Sequence, residues 1–132
     1  MSVFVDTSAL FAVLDADDQN HEQARQTWAD LINRETELIC TNYVLVEIVA
    51  LVQHRLGTEA VRVLQEDVVP ILRVEWVDEN AHRAGVTALL IAARRQLSLV
   101  DCVSFGTMRR LGIKTAFTFD RHFTEQGFEH IP

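Results

Sequence analysis

The sequence predicts an α/β fold in which parallel β-strands are covered by helices on both faces. Short apolar runs alternate with helical segments along the chain of 132 residues. Most successive runs are separated by a helix-sized segment, which is the crossover that parallel strands need. The runs are apolar at consecutive positions, as strands are when both faces of their sheet are buried. A chain of this length also predicts a single domain, residues 1–132.

Each element follows from its own local pattern. The first apolar run, residues 3–5, is followed by Asp6, Thr7 and Ser8, which are good N-cap residues for a helix. Gly57 and Gly112 end two helices, because glycine readily adopts the left-handed conformation of a C-cap. The predicted strands are 3–5, 38–40, 72–77, 115–119 and 128–131, and the predicted full-length helices are 21–34, 43–56, 58–68, 78–96 and 99–111.

The composition limits what the protein can do. The chain has 12 Lys and Arg against 19 Asp and Glu, a net charge of −7, with 48% apolar and 23% charged residues. These proportions are typical of a globular protein and not of a disordered one. The acidic balance argues against binding nucleic acid through broad charge attraction, although it leaves room for a nuclease whose acids bind metal.

The sequence also predicts a cytoplasmic protein. The apolar stretches are too short to span a bilayer, and no basic leader precedes an apolar segment near Met1. Cys40 and Cys102 are far apart and have no metal-ligand spacing, so we expect free thiols in a reducing compartment.

Three aspartates occupy positions where parallel sheets bind ligands, at or near the carboxyl ends of strands. Asp6 and Asp120 directly follow strands, and Asp101 lies in the first turn of a late helix. Each also has a purely structural explanation. Asp6 can be a helix N-cap, Asp120 a turn residue, and Asp101 the partner of Ser98 in a capping box.

Glu47 is the fourth acid of interest, because it is the only polar residue between Val44 and Val52. With apolar neighbours on every side, it is predicted to be buried in its helix. A buried ionised carboxylate is costly unless it is paired, protonated or bound to a metal. A buried salt bridge to an arginine is the alternative to a chemical role.

Taken together, the four acids predict a metal site. Like charges a few ångströms apart cannot all ionise without a cation, and hard divalent cations such as Mg²⁺ or Mn²⁺ prefer carboxylate oxygens. No other catalytic motif competes: the five histidines show no zinc-ligand spacing, and the chain has no glycine-rich phosphate loop and no nucleophile-elbow serine.

At this point four segments, taken in order, resemble the motifs of PIN domains, the nucleases of VapC-type toxin–antitoxin pairs. Residues 4–10 (FVDTSAL) resemble the opening of these domains, and Glu47 falls where they have a helix acid. Residues 98–105 (SLVDCVSF) resemble the third motif, and residues 117–123 (FTFDRHF) resemble the fourth. The closing pair Gly127–Phe128 is similar too, so the resemblance covers essentially the whole chain.

The resemblance implies a three-layer α/β/α sandwich with a central, mainly parallel five-stranded sheet. It implies metal-dependent cleavage of single-stranded or structured RNA, with Ser104 and Thr118 as hydroxyls near the acids. It further implies a homodimer and a cognate antitoxin protein that blocks the site, often by inserting an arginine. The catalytic and metal-binding acids that it implies are Asp6, Glu47, Asp101 and Asp120.

The resulting hypothesis is that one or two Mg²⁺ or Mn²⁺ ions activate a water for attack on a phosphodiester. The three aspartates are the expected direct ligands, and Glu47 is expected to act through a water or by orienting the nucleophile. Thr7 and Thr118 can hydrogen-bond the acids or a phosphate, and Arg121 can contact substrate phosphates. For Thr118 the alternative is an ordinary strand residue.

Two other functions remain open at this stage. The first is a non-catalytic module that keeps the fold only to bind RNA or protein. The second is a receiver-like Mg²⁺-binding signalling domain, which would need a lysine after its last strand. Here the lysine, Lys114, precedes that strand.

Overall fold

The computed structural model describes all 132 residues, and its centre is a sheet of five parallel strands in the order β3-β2-β1-β4-β5. The chain builds the sheet outward from β1 in one direction, then returns to add β4 and β5 on the other side. The strand order therefore reverses between β1 and β4, which is where such sheets bind ligands. The strands are β1 Ser2–Val5, β2 Glu37–Thr41, β3 Arg73–Glu75, β4 Thr115–Phe117 and β5 Glu129–Ile131.

Seven helices flank this sheet and complete a three-layer α/β/α sandwich, which confirms the predicted fold class. None of them is both long enough and apolar enough to cross a membrane. A π-helical turn, Leu64–Val68, and a 3₁₀ turn, Val69–Ile71, lead into β3. The helices are α1 Thr7–Leu14, α2 His21–Asn33, α3 Asn42–Leu56, α4 Thr58–Val63, α5 Glu79–Ala92, α6 Leu99–Leu111 and α7 His122–Glu125.

The core forms around β1, whose apolar side chains are buried on both faces of the sheet. Phe4 lies opposite Ile39 of β2 and Ala116 of β4, and all three side chains are buried. These residues belong to one cluster of 26 buried apolar side chains. Consecutive apolar residues in a strand predict this two-sided burial, and the structure confirms it.

The predicted helix 78–96 is shorter than expected, because α5 ends at Ala92. Asp78 caps its start by accepting a hydrogen bond from the amide of Ala81 at 2.8 Å. At the other end Ala93 adopts a left-handed conformation with φ of 51°, which stops the helix. The following turn brings Leu97 into the core and leaves Ser98 free to cap α6.

The other predicted boundaries differ at their ends. The predicted strands 72–77 and 115–119 shorten to three residues each, and the helical segment 58–68 changes from α- to π-helical geometry at Leu64. Beyond β4 the chain bends, because the hydroxyl of Thr118 accepts a hydrogen bond from the amide of Asp120 at 2.9 Å.

Candidate active site

The candidate site lies at the carboxyl edge of the sheet, where β1 and β4 are neighbours. Asp6 is the first residue after β1, and its amide donates to the carbonyl of Phe117 at the end of β4 at 3.1 Å. Asp120 follows β4 after the bend, and Asp101 lies in the first turn of α6. The fold thus brings together three acids that are widely separated in sequence.

Two hydroxyls fix the carboxylate of Asp6. Ser8 Oγ and Thr118 Oγ1 both donate to Asp6 Oδ2, at 2.8 Å and 3.0 Å. Each hydroxyl also accepts a hydrogen bond from a backbone amide. The Phe119 amide donates to Ser8, and the Asp120 amide donates to Thr118. Asp6 occupies the N-cap position of α1, yet its side chain caps no amide there. Capping therefore does not account for this carboxylate.

Asp101 is held by the capping box that the sequence predicts. The Ser98 amide donates to Asp101 Oδ2 at 3.1 Å, and the Asp101 amide donates to Ser98 Oγ at 3.0 Å. The other carboxylate oxygen of Asp101 receives no hydrogen bond from a protein group. Capping therefore orients this acid and leaves one of its oxygens available to a ligand.

Asp120 and His122 form a close pair on either side of Arg121. The His122 amide donates to Asp120 Oδ1 at 2.9 Å. The imidazole Nδ1 lies 2.8 Å from the same oxygen, but without the alignment of a hydrogen bond, and this buried nitrogen has no other partner. One ligand atom each from Asp101, Asp120 and His122 lie within 4.8 Å of one another, which makes these residues a candidate metal-binding group.

The electrostatics of the site favour a cation. Burial raises the pKa of Asp6 to about 6, and the charges of Asp101 and Asp120 add to this effect against the opposing hydrogen bonds from Ser8 and Thr118. Burial also raises the pKa of Asp101, with a further contribution from Asp120. No lysine or arginine forms an ion pair with any of the three aspartates. The donor set therefore fits a divalent cation, whose charge would offset this crowding.

The burial of Glu47 differs from the predicted burial. Its side chain is only half-buried and forms no hydrogen bond or ion pair, and Glu47 is not part of the metal-binding group. The prediction of burial is wrong, because the apolar helix around it is not covered on all sides. Val46 is 69% exposed and Ala50 is exposed as well.

The predicted hydroxyls have different environments. Thr118 contacts Asp6 as described, so it is more than an ordinary strand residue. Thr7 is buried and its hydroxyl has no hydrogen-bond partner, so it does not bond to an acid. The hydroxyl of Ser104 donates to the carbonyl of Val100 within α6 at 2.8 Å, and this bond accounts for it.

Sequence reasoning missed two residues of this site, Ser8 and His122. The sequence predicts Ser8 only as a helix-capping residue, although its spacing from Asp6 lets its hydroxyl reach back to that carboxylate. It predicts His122 only as a candidate phosphate contact beside Arg121 and not as a metal ligand, because no second histidine stands at zinc-ligand spacing. The relevant signal was the Asp-x-His spacing, which places a carboxylate and an imidazole on one short turn.

A family model described as PIN domain matches residues 3–129. The 23S rRNA-specific endonuclease VapC20 of Mycobacterium tuberculosis is 32% identical over 130 residues, which span 98% of this chain and 97% of that protein. The VapC ribonuclease of Aquifex aeolicus is 24% identical over 127 residues, spanning 96% of this chain and 93% of that protein.

Solved structures give the same result. The crystal structure of M. tuberculosis VapC20, described as a sarcin-ricin loop cleaving toxin, superimposes with a TM-score of 0.85 at 31% identity, covering 96% of this chain and 95% of that one. FitAcB from Neisseria gonorrhoeae superimposes with a TM-score of 0.71 at 15% identity, covering 100% of this chain and 97% of that one, which shows the fold alone. These matches exclude the receiver-like alternative. The chain belongs to the PIN-domain family, and within it is a ribonuclease of the VapC type.

Proposed function

We propose that the chain is an endoribonuclease toxin that depends on Mg²⁺ or Mn²⁺ and uses Asp6, Glu47, Asp101 and Asp120. One observation carries this proposal: three carboxylates from distant parts of the chain meet at the β1–β4 edge with no lysine or arginine paired to them. Acids crowded in this way without a counter-ion are suited to binding a cation. Glu47 is included because of its place in the PIN motif, and its half-exposed carboxylate remains accessible to solvent.

The protein's own groups have distinct tasks in this mechanism. A divalent cation, when bound, would supply Lewis acidity and lower the pKa of water for phosphodiester hydrolysis. The free oxygen of Asp101 and the carboxylate of Asp120 would hold it. Ser8 and Thr118 keep Asp6 in one orientation and leave its second oxygen without a protein partner. Such prior orientation lowers the cost of assembling charged groups at the moment of reaction.

We further propose that the substrate is a structured RNA, with the sarcin–ricin loop of 23S rRNA as the first candidate. The support is the similarity over nearly the whole chain to a protein named as a 23S rRNA-specific endonuclease. Sequence identity of 32% leaves room for a different RNA, so the choice of substrate is tested separately from the chemistry.

Metal removal tests the chemistry. The EDTA-treated protein is expected to leave an RNA hairpin carrying the sarcin–ricin loop intact and to cleave it once Mg²⁺ or Mn²⁺ is restored. A hairpin with the same stem and a scrambled loop is the substrate control. Cleavage that persists in EDTA would contradict the metal mechanism, and equal cleavage of both hairpins would contradict the loop as the substrate. If the loaded protein cleaves neither hairpin nor total ribosomal RNA, the chain is a non-catalytic binding module.

Arg121 is the proposed phosphate contact. Its side chain is highly exposed, and it lines a hollow of about 220 Å³ together with Thr118 and Asp120. Glu125 lies beside it, 3.9 Å from the Arg121 Nε, and is paired more closely with Arg94 at 2.9 Å. Two arginines therefore lie beside Glu125, and of these only Arg121 lines the hollow with Asp120. The sequence also predicts Thr7 as a substrate contact. Its hydroxyl is buried, so the structure adds no support to this role.

Replacing Arg121 by alanine is expected to weaken RNA binding about equally for all sequences. The slope of log affinity against log salt should fall by about 0.7, the value for one lost phosphate contact on a single strand. Binding is measured in Ca²⁺ or EDTA so that no RNA is cleaved. Arg83→Ala is the matched control, because Arg83 is exposed and paired with a glutamate on α5. An unchanged slope for Arg121→Ala would rule out this contact.

We also propose a homodimer in which exposed apolar side chains of α3 and α5 are covered. Val46 on α3 and Leu90 and Ile91 on α5 are 69%, 72% and 80% exposed, so they are the large apolar side chains of these helices that a second chain could cover. Sedimentation should give the mass of two chains, and a mass of 15.0 kDa, that of one chain, would contradict the dimer.

The proposed partner is a cognate antitoxin that covers the unpaired carboxylates with a basic segment. Two observations support this partner: the net charge is −7, and no lysine or arginine of this chain forms an ion pair with Asp6 or Asp101. Where a small reading frame lies next to the gene, co-expression of its product should abolish RNA cleavage, and undiminished cleavage by the purified pair would contradict the pairing. A cytoplasmic location remains a prediction, in agreement with the two free cysteines.

A further inference from the structure

His122 is the one histidine placed among the catalytic acids. The residue is 8% exposed and its side chain 11%, and it begins the single-turn helix α7 directly after Arg121. The next residue, Phe123, is fully buried, and its ring lies edge-to-face with that of Phe105, the two ring centroids 5.0 Å apart. This anchor fixes α7 and with it the position of the imidazole.

The environment of the Nδ1 atom of His122 is unusual for a buried nitrogen. It has no hydrogen-bond partner, although it lies 2.8 Å from Asp120 Oδ1. The angle at this contact is not that of a hydrogen bond, so the nitrogen and the oxygen do not satisfy each other. Buried polar atoms nearly always have a partner in native proteins, and an exception calls for a missing water or ion.

Asp101 is the third member of the candidate metal-binding group, with Asp120 and His122. Its Oδ2 is used in the capping box, and its other oxygen has no protein partner. The ligand atoms of Asp101, Asp120 and His122 lie within 4.8 Å of one another, a spacing at which the three side chains could share one ion. Asp101 comes from α6, whereas Asp120 and His122 come from the segment leading into α7, so local sequence spacing alone does not account for the group.

We infer that His122 is a nitrogen ligand of the cation, which makes this a mixed nitrogen–oxygen site that favours a transition-metal dication such as Mn²⁺ over Mg²⁺. The inference rests on the proposed metal dependence. Carboxylate and water suit both Mg²⁺ and Mn²⁺, whereas imidazole suits transition-metal dications and is a poor ligand for the harder ion Mg²⁺. A site built from carboxylates alone would show less of this discrimination.

The test compares metal binding by the whole protein with His122 present and replaced. Calorimetric titration with Mn²⁺ and with Mg²⁺ is carried out on the wild type, on His122→Gln and on the control His130→Gln. His130 is the other histidine beside Asp120, and it is exposed on β5. His122→Gln should bind Mn²⁺ at least about tenfold more weakly, a loss typical of disturbed metal sites. The same variant should change Mg²⁺ affinity by less than about threefold, because Mg²⁺ gains little from imidazole.

A spectroscopic measurement gives a reading on the wild type that does not depend on the folding of the variant. The wild type is labelled with ¹⁵N in its histidines only, loaded with Mn²⁺ and studied by pulsed electron paramagnetic resonance. A coupling between Mn²⁺ and histidine ¹⁵N is expected in the wild type and in His130→Gln, and it should be lost in His122→Gln.

The outcomes separate this inference from the proposed function. Missing ¹⁵N coupling in a wild type that binds Mn²⁺ and cleaves RNA would overturn the role of His122 and leave the metal mechanism intact. An equal loss of Mn²⁺ and Mg²⁺ affinity in His122→Gln would also overturn it, since it would indicate a positioning role. A wild type that binds neither metal would overturn both proposals.

Discussion

Replacing Asp6 by asparagine is expected to abolish RNA cleavage while stabilising the metal-free fold. Asparagine has nearly the same shape and can accept the same hydrogen bonds from Ser8 and Thr118 through its amide oxygen. It removes the negative charge that the proposed mechanism needs, so cleavage should fall at least a hundredfold, roughly the upper range for disturbed metal sites. Cleavage within about twofold of the wild type, in the presence of Mn²⁺, would contradict a catalytic role.

The gain in stability follows from the pKa of Asp6. Its folded-state value of about 6 lies above the usual 3.8, so the folded protein binds this proton more tightly than the unfolded chain does. The penalty is absent below pH 3.8, grows between pH 3.8 and 6, and is fully present above pH 6. At 1.36 kcal/mol per pKa unit, it amounts to about 3 kcal/mol at pH 7.5.

Urea unfolding in EDTA measures this penalty. The wild type should lose stability from pH 4.5 to pH 7.5 relative to Asp6→Asn, and the variant should be more stable by about 3 kcal/mol at the higher pH. Asp67→Asn is the matched control, because Asp67 is exposed and forms no ion pair. If Asp6→Asn destabilises the metal-free protein at pH 7.5, the carboxylate is not strained by its surroundings and the argument from crowded charge is wrong.

Replacing Phe123 by alanine is expected to cause the largest loss of stability, about 3–5 kcal/mol. Phe123 is fully buried, and its ring contacts those of Phe4, Phe105 and Phe128, with centroids 5.0 to 6.5 Å apart. Truncation removes buried apolar area and leaves a cavity between β1, α6 and the end of the chain. Urea unfolding in EDTA at pH 7.5 measures the change in the free energy of unfolding.

Phe123→Leu is the control for cavity size, because leucine keeps most of the volume, and it should cost less than about 2 kcal/mol. Phe119→Ala tests whether the loss of stability depends on full burial of the ring, since Phe119 is only half-buried. A loss below about 1 kcal/mol for Phe123→Ala would mean that the aromatic cluster does not hold α7 in place. In that case the fixed position of His122 would need another cause.

The sheet could be predicted from sequence because its first two strands have an unambiguous pattern. Residues 3–5 and 38–40 are apolar at every position, and burial of both faces is the simplest explanation. The helix ends were harder. No residue between 78 and 96 is a proline, and the only glycine, Gly85, lies mid-helix, so nothing in the local pattern stops the helix at Ala92. The stop comes from tertiary structure, which needs Leu97 in the core.

The placement of the acids could be predicted where it follows from the topology of the sheet. The burial of an acid could not be predicted, because it depends on which helix faces are covered. Asp6 and Asp120 follow strand ends, so topology alone brings them together. Glu47 was expected to be buried because of its apolar neighbours, yet Val46 next to it points outward. An apolar helix face covered by a partner has the same sequence as one covered by the chain itself, so sequence alone cannot tell them apart.

The position of β1 between β2 and β4 also sets the order in which the parts of the candidate site are made. Asp6 is made 112 residues before Thr118, whose hydroxyl orients it. A nascent chain that ends before Thr118 therefore carries the acid without the group that aligns it, and it lacks Asp120 and His122 as well. The proposed site can be assembled only after the segment that follows β4 has been made.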